Sequence, residues 1–297
     1  MKIITDQATN KINIIGRANN IVIREGKTKD NKNYISGTLY VDVNQSYLGD
    51  VQEESQIGVQ FFSTALTTKG TANPAYESLQ KLRELKTIQT VGNLEADTVR
   101  ISGANLAENL YIAKNSNQLV DTWVINASFI NVGKGSDIAT FCVDAYIMEK
   151  TEELDREGNE TGRLIVRAGV VQYGGRLDII EFIAEDAMAV EHVSRNWDID
   201  TTVQIKGRIR ATTKEVVKKV EATWGEVIPE GQSTRIVREL IITSGSEGEL
   251  DEEMSYDSVD IRKAFAERKA RIEQLRVSAQ ESAQKTSTKK SSYGWEE

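Results

Sequence analysis

The chain has 297 residues, 39% of them hydrophobic and 28% charged, which suits a soluble globular protein with room for two domains. No apolar run reaches the roughly 18 residues of a membrane-spanning helix, and the N-terminal MKIITDQATNKINIIG lacks the unbroken apolar segment of a signal peptide, so a reducing cytoplasm is expected. A single cysteine, Cys142, excludes an internal disulfide, and a net charge of −8 speaks against nucleic acid unless the charges are segregated.

They are segregated. Residues 246–260 hold Glu247, Glu249, Asp251, Glu252 and Glu253 and no base, while basic residues gather on predicted strands and hairpins. Local distribution, not net charge, therefore decides what the surface attracts.

Residues 1–113 are expected to form a first domain. Residues 20–24 (NIVIR) read as a short strand, and 26–33 (GKTKDNKN) as a polar turn carrying Lys27, Lys29 and Lys32. Over 34–43 the residues alternate. Ile35, Gly37, Leu39, Val41 and Val43 share one face, and Tyr34, Ser36, Thr38, Tyr40 and Asp42 the other. Two tyrosines beside a lysine-rich turn could stack on bases, although ordinary surface tyrosines give the same pattern. An apolar strand at 57–66, a helix at 74–85 with Pro74 in its first turn, a strand at 96–104 and a closing strand at 106–113 complete this half.

The second domain is expected over 119–245. Strands at 121–132 and 137–149 are joined by the turn GKGS. On the latter strand Ala139, Phe141, Val143, Ala145 and Ile147 point one way, while Thr140, Cys142, Asp144, Tyr146 and Met148 point the other. Cys142 reads as a small buried hydrophobe, and His192 has no ligand or catalytic partner near it in sequence. A long charged hairpin at about 150–175 follows, with Arg167, Tyr173 and Arg176 on or beside its return arm. Then come a strand at 177–183, a helix at 184–195 and a strand on which Val203, Ile205, Gly207 and Ile209 alternate with Gln204, Lys206, Arg208 and Arg210. The basic face of that strand reads as one wall of an anion-binding groove. Residues 216–228 and 235–243 read as two more strands.

The two halves echo each other. DTVRISG at 97–103 aligns with TTVQIKG at 201–207, and in both halves a strand and a helix precede it. Strands with one helix between the third and fourth suggest two five-stranded OB barrels in tandem, a fold that binds oligonucleotides or oligosaccharides across strands two and three. The fold class expected is thus mainly β, with a C-terminal helix and a disordered tail. Arg100 marks the fourth strand of the first barrel as Lys206, Arg208 and Arg210 mark that of the second.

Beyond an acidic linker at 246–256, an amphipathic helix is expected over 257–285, with Ile261, Ala264, Phe265, Ile272 and Leu275 on its apolar stripe. That stripe fits packing on the chain's own barrels, or self-association. The tail at 286–297 is low in complexity and ends in Trp295, Glu296 and Glu297.

RELIITSGS followed by the acidic linker and DIRKAFAERK resembles the C-terminal region of bacteriophage single-stranded DNA-binding proteins with tandem OB folds. IIEFIAEDAMAVEHVSRNWDIDTTVQIKGRI is similar to the core of the same group. The resemblance covers roughly residues 120–280. It implies sequence-nonspecific binding and protection of single-stranded DNA during phage replication or recombination, without cofactor or metal. The binding residues expected are Lys32, Tyr34, Tyr40, Arg100, Tyr146 and Arg167, together with Tyr173, Arg176, Lys206, Arg208 and Arg210. The C-terminus is similar to the docking tip of bacterial single-stranded DNA-binding proteins. It departs from them in having no Pro and in the nearby Lys289 and Lys290, and it implies replication or recombination proteins as partners. The competing expectation is a phage structural or assembly protein acting through protein contacts. No GxxxxGK[ST], HExxH or paired-cysteine motif points to an enzyme.

Overall fold

The computed structural model describes residues 7–47, 51–113, 116–219 and 229–290, with residues 214–219, 229–235 and 282–290 described in backbone only. The first strand, β1 (Asn10–Lys27), is longer than the short run its sequence suggests, because it serves two sheets. Its first half pairs with β4 (Thr98–Ile112) and its second half with β2 (Asn33–Tyr47), with a register shift between Ala18 and Asn20 at the change of partner. A bulge of this kind bends a strand and so lets a small sheet close. β3 (Val51–Thr64) pairs antiparallel with β2 and parallel with β5 (Leu119–Ala127), and β5 pairs with β4. The order β1-β2-β3-β5-β4-β1 is a closed five-stranded barrel. Between β3 and β4 stand helix α1 (Pro74–Gln80), a 3-10 turn and the short α2 (Ile88–Val91). Asn73 caps α1 by accepting from the Ala75 amide at 3.1 Å, and Pro74 costs nothing in the first turn, where its missing N–H has no partner.

The second half repeats the order. After the two-residue β6 (Asn131–Val132), β7 (Ile138–Leu154), β8 (Glu160–Val171), β9 (Leu177–Ala184), β10 (Thr202–Lys219) and β11 (Pro229–Gly245) close as β7-β8-β9-β11-β10-β7. Helix α3 (Ala187–Asn196) again lies between the third and fourth strands, capped by Asp186. The barrel interiors are the faces that alternation predicts. Ile35, Leu39 and Val41 are buried in one, and Phe141, Val143, Ile205 and Ile209 in the other. The aligned strands 97–103 and 201–207 both prove to be the fourth strand of their barrel, yet their matching glycines serve different ends. Gly103 takes φ +76 where β4 slips against β1. Gly207 is in the crowded interior, where a Cβ would sit 1.9 Å from the Ile241 carbonyl oxygen and 2.6 Å from Phe141.

Two strand assignments differ from the sequence reading. Residues 121–132 do not open the second barrel. β5 ends the first one, because it pairs antiparallel with β4 as far as Ile112↔Leu119, and beyond that pair Ala113 N donates to Gln118 O at 2.9 Å. Alternation shows that a segment is a strand but not which neighbour it joins. Likewise β10 runs without a break from the strand expected at 203–210 into the start of the one expected at 216–228, as far as Lys219, and its partner β11 starts at Pro229; residues 220–228 lie outside the described residues.

The two barrels share one sheet. β1 pairs antiparallel with β7 from Asn10↔Val143 to Ile15↔Ile138, so the equivalent first strands meet. Barrel 1 also reaches over barrel 2. Buried Gln45 donates to Ile209 O at 3.3 Å and accepts from Ala139 N at 3.0 Å, and Ser55 Oγ accepts from Ala211 N at 3.1 Å. Helix α4 (Ser258–Lys290) packs on β4 and β9, with Ile261, Ala264 and Arg268 buried and Phe265, Ile272 and Leu275 half-buried. Arg268 bonds to Glu108 and to Asp121 (2.7 Å), and Arg271 to Glu108 (3.1 Å). Burial pushes the Glu108 carboxyl up against the pull of Arg268.

Candidate nucleic-acid interface

The outer face of β1, β2 and β3 is built by register. Arg24 stands opposite Ser36 and Ser36 opposite Phe62; the next row is Val22, Thr38 and Gln60; the next is Asn20, Tyr40 and Gly58. All of these point away from the core because Ile35, Leu39, Val59 and Phe61 point into it. Phe62 is 59% exposed, an unusual state for a phenylalanine on a sheet. Tyr34 supports it with ring centroids 5.6 Å apart, lying over Gly26, whose missing side chain leaves the room. Tyr40 lies beside Gly58, its cross-strand neighbour.

One shallow cavity lies on this face, and a second adjoins it at Phe62 and continues across β5, β4 and the start of β1. The first, of about 410 Å³, is bounded by Val22, Arg24, Thr38, Tyr40, Gln60 and Phe62. The other, of about 550 Å³, runs on past Phe62 to Asn126, Ser128, Asn105 and Lys11. Phe62 and Asn126 border both, so Phe62 is a rib in one continuous groove. No Asp or Glu lines either cavity, although carboxylates outnumber cations in the chain. Arg24 stands at one end and Lys11 at the other, and neither has a described carboxylate within ion-pair distance. The turn from β1 to β2, with exposed Lys27 and Lys29 and half-buried Lys32, flanks the Arg24 end; Asn31 at φ 58 makes the reversal. The wider groove at Arg17, about 790 Å³, is a poor match for an anion, because Asp42, Glu54 and Asp137 line it.

The predicted site residues separate. Tyr34 and Tyr40 lie on the groove face, and Lys32 is in the flanking turn. Tyr146 does not face a groove: it is 2% exposed, donates to Asp200 Oδ1 at 3.1 Å, and lies under the first turn of α4 beside Ser258 and Arg262. Arg208 and Arg210 are also withdrawn. Arg208 binds Glu53 at 2.9 Å and Glu185 at 2.5 Å beneath the Tyr47 ring, and Arg210 binds Glu185 and Glu239. Burial opposes the Glu239 charge, yet hydrogen bonds from Arg163 and Arg210 hold its carboxyl below the ordinary range. Arg167 is held between Glu149 (3.3 Å) and Glu181 (3.4 Å), which neutralises the strand face of barrel 2 that corresponds to the groove of barrel 1. Lys206 is exposed on β10 beside half-buried Cys142, whose thiol burial pushes up. Arg100 lies on β4 near Gly133 and lines neither cavity. Tyr173 is exposed, and Arg176 is paired with Asp178 at 2.8 Å. Trp295, Glu296 and Glu297 lie outside the described residues. His192 faces the Ser246 carbonyl at 3.1 Å, a structural role.

Sequence reading missed Phe62, Gln60, Arg24, Lys11 and Asn126. For the first two a signal was present: Val59, Gln60, Phe61 and Phe62 keep the alternation if the polar Gln60 sets the outward parity.

Tyr146 gives a pH test. Burial first, then Asp200, pushes its hydroxyl up to about 12. The folded state thus holds this proton more tightly than the unfolded chain, whose tyrosines titrate near about 10. Its contribution is complete below about pH 10 and is lost as pH rises toward about 12. Denaturant midpoints should therefore fall more steeply over that window in the parent than in Tyr146→Phe.

A family model matches residues 8–278, and its description is YorF. The chain belongs to the YorF family. No curated protein matches it. Among solved structures, the wild-type single-stranded DNA binding protein from Thermus aquaticus aligns with a TM-score of 0.50 and 11% identity, over 81% of this chain and 93% of that one. A deletion mutant of the Thermus aquaticus protein aligns at 0.47 and 12%, over 82% and 97%. At 11% identity the likeness to the wild-type protein is one of fold alone.

Proposed function

We propose that the chain binds single-stranded DNA without sequence preference, along the outer face of β1, β2 and β3. The observation that carries this reading is the groove at Phe62: aromatic, amide- and hydroxyl-lined, cationic at its ends and free of carboxylate in an acidic protein. Bases would stack on Phe62 and Tyr40, and phosphates would meet Arg24, Lys11 and the lysines of the Lys32 turn. In OB folds the strand two and three face is where oligonucleotides bind, and the Thermus aquaticus neighbour is a single-stranded DNA binding protein. Protection of DNA during replication or recombination, as in the bacteriophage proteins the sequence resembles, is part of this proposal. Docking of partner proteins on Trp295, Glu296 and Glu297 is proposed from the sequence alone.

The few cations set a measurable expectation. Single-stranded complexes lose affinity with a log–log salt slope of about −0.7 per phosphate neutralised. Lys11 and Arg24 alone give about −1.4, and adding Lys27, Lys29 and Lys32 gives about −3.5. Fluorescence anisotropy with labelled oligo(dT) across a salt series should return a slope between these values. Absence of binding at low salt would sink the proposal, and salt-resistant oligomers without DNA affinity would favour an assembly protein instead.

A further inference from the structure

The turn between β8 and β9 exposes an aromatic ring on an unusually well-held base. Tyr173 is 87% exposed and heads the 3-10 turn Tyr173–Gly175, in which Gly174 and Gly175 take φ 77 and 81. The residue before it, Gln172, is buried and bonded into the other barrel. Its Nε2 donates to Leu106 O at 2.9 Å, an oxygen that also accepts from Asn10 Nδ2 at 2.7 Å. Its Oε1 accepts from Asn105 Nδ2 at 3.5 Å. Ala8 N donates to Val171 O at 3.0 Å, and Gln172 N to Arg176 O at 2.7 Å. The turn is therefore fixed relative to barrel 1, although it belongs to barrel 2.

Its position matters because Asn105, Asn10 and Ala8 line the Lys11 end of the groove. Tyr173 follows directly on a side chain that touches that wall. Arg176 closes the turn, half exposed, with one nitrogen on Asp178. The strand face of barrel 2 offers nothing comparable, since Arg167 is held there by Glu149 and Glu181.

We propose that the track crosses the barrel seam. A DNA strand passing Phe62, Asn126 and Asn105 stacks its next base on Tyr173, and Arg176 meets the adjoining phosphate. Barrel 2 thus contributes a turn to a site that is otherwise on barrel 1. This deepens the groove reading and rests on it. The test compares oligonucleotide lengths, since one OB barrel covers roughly 4–16 nucleotides. Tyr173→Ala should leave the affinity for (dT)4 unchanged and weaken that for (dT)16 about 5- to 150-fold, the loss of one stacked base. Tyr173→Phe should restore it. Parent-like binding of (dT)16 by Tyr173→Ala overturns the extension alone, as does an equal loss on both lengths. A parent protein that binds neither oligonucleotide overturns the groove reading beneath it.

Discussion

Arg208→Ala is expected to lower the unfolding free energy by about 3–5 kcal/mol and to leave oligonucleotide affinity unchanged, the size usual for removing one partner of a buried ion pair. The Arg208 side chain is 7% exposed. Its Nε meets Glu53 and its Nη2 meets Glu185, while the Tyr47 ring centroid lies 3.3 Å from its guanidinium carbon. Glu53 and Tyr47 come from barrel 1, Arg208 and Glu185 from barrel 2. Removing the guanidinium leaves Glu53 with Arg210 at 3.6 Å as its remaining described cation and opens the seam between the barrels. Arg208→Lys should rescue only part of the loss, because an ammonium cannot reach both carboxylates with a planar fork. Guanidinium unfolding followed by circular dichroism reads the stability, and anisotropy at low temperature reads the binding. A variant as stable as the parent but weaker on DNA would place this cation in the DNA path and the groove elsewhere.

That expectation reverses what alternation suggests for Arg208, and the reason is physical. Period two assigns side chains to the two faces of a strand, and it did so correctly here: Val203, Ile205 and Ile209 are buried in the barrel and Lys206 is exposed. It carries no information on what covers the outer face. Glu53 arrives from a hairpin of the other barrel, and Ser258 arrives over Tyr146 from the C-terminal helix. Both covers are long-range, so a polar face read as open was in fact paired. Tyr34 and Tyr40 remained on an open face because the strands beside them, β1 and β3, supply Val22, Gln60 and Phe62 rather than carboxylates. The barrel order was legible from the repeated strand–helix–strand pattern. The boundary between the barrels was not, because the polar stretch ahead of Leu119 reads as a linker in composition, while the strand after it pairs back onto β4.

Phe62→Ala should weaken single-stranded DNA binding by about 1–3 kcal/mol, roughly 5- to 150-fold, while leaving the fold nearly as stable as the parent. The two effects part because the ring is mostly in solvent: 59% exposed, it contributes little to the core that Phe61 fills from the opposite face of the same strand. Its position between the two cavities makes it the one aromatic that a strand occupying either must pass. Truncation also strips Tyr34 of its ring partner, so the loss should exceed that of Tyr34→Ala, whose ring supports Phe62 from the Gly26 side. Phe62→Tyr and Phe62→Trp, which keep a flat face, should bind within reach of the parent. Since stacking needs no charge, the salt slope of Phe62→Ala should match the parent's, with the whole line displaced to weaker affinity. A steeper or shallower slope would mean that removing the ring had moved the phosphates. Parent-like affinity in Phe62→Ala would take the bases off this face altogether.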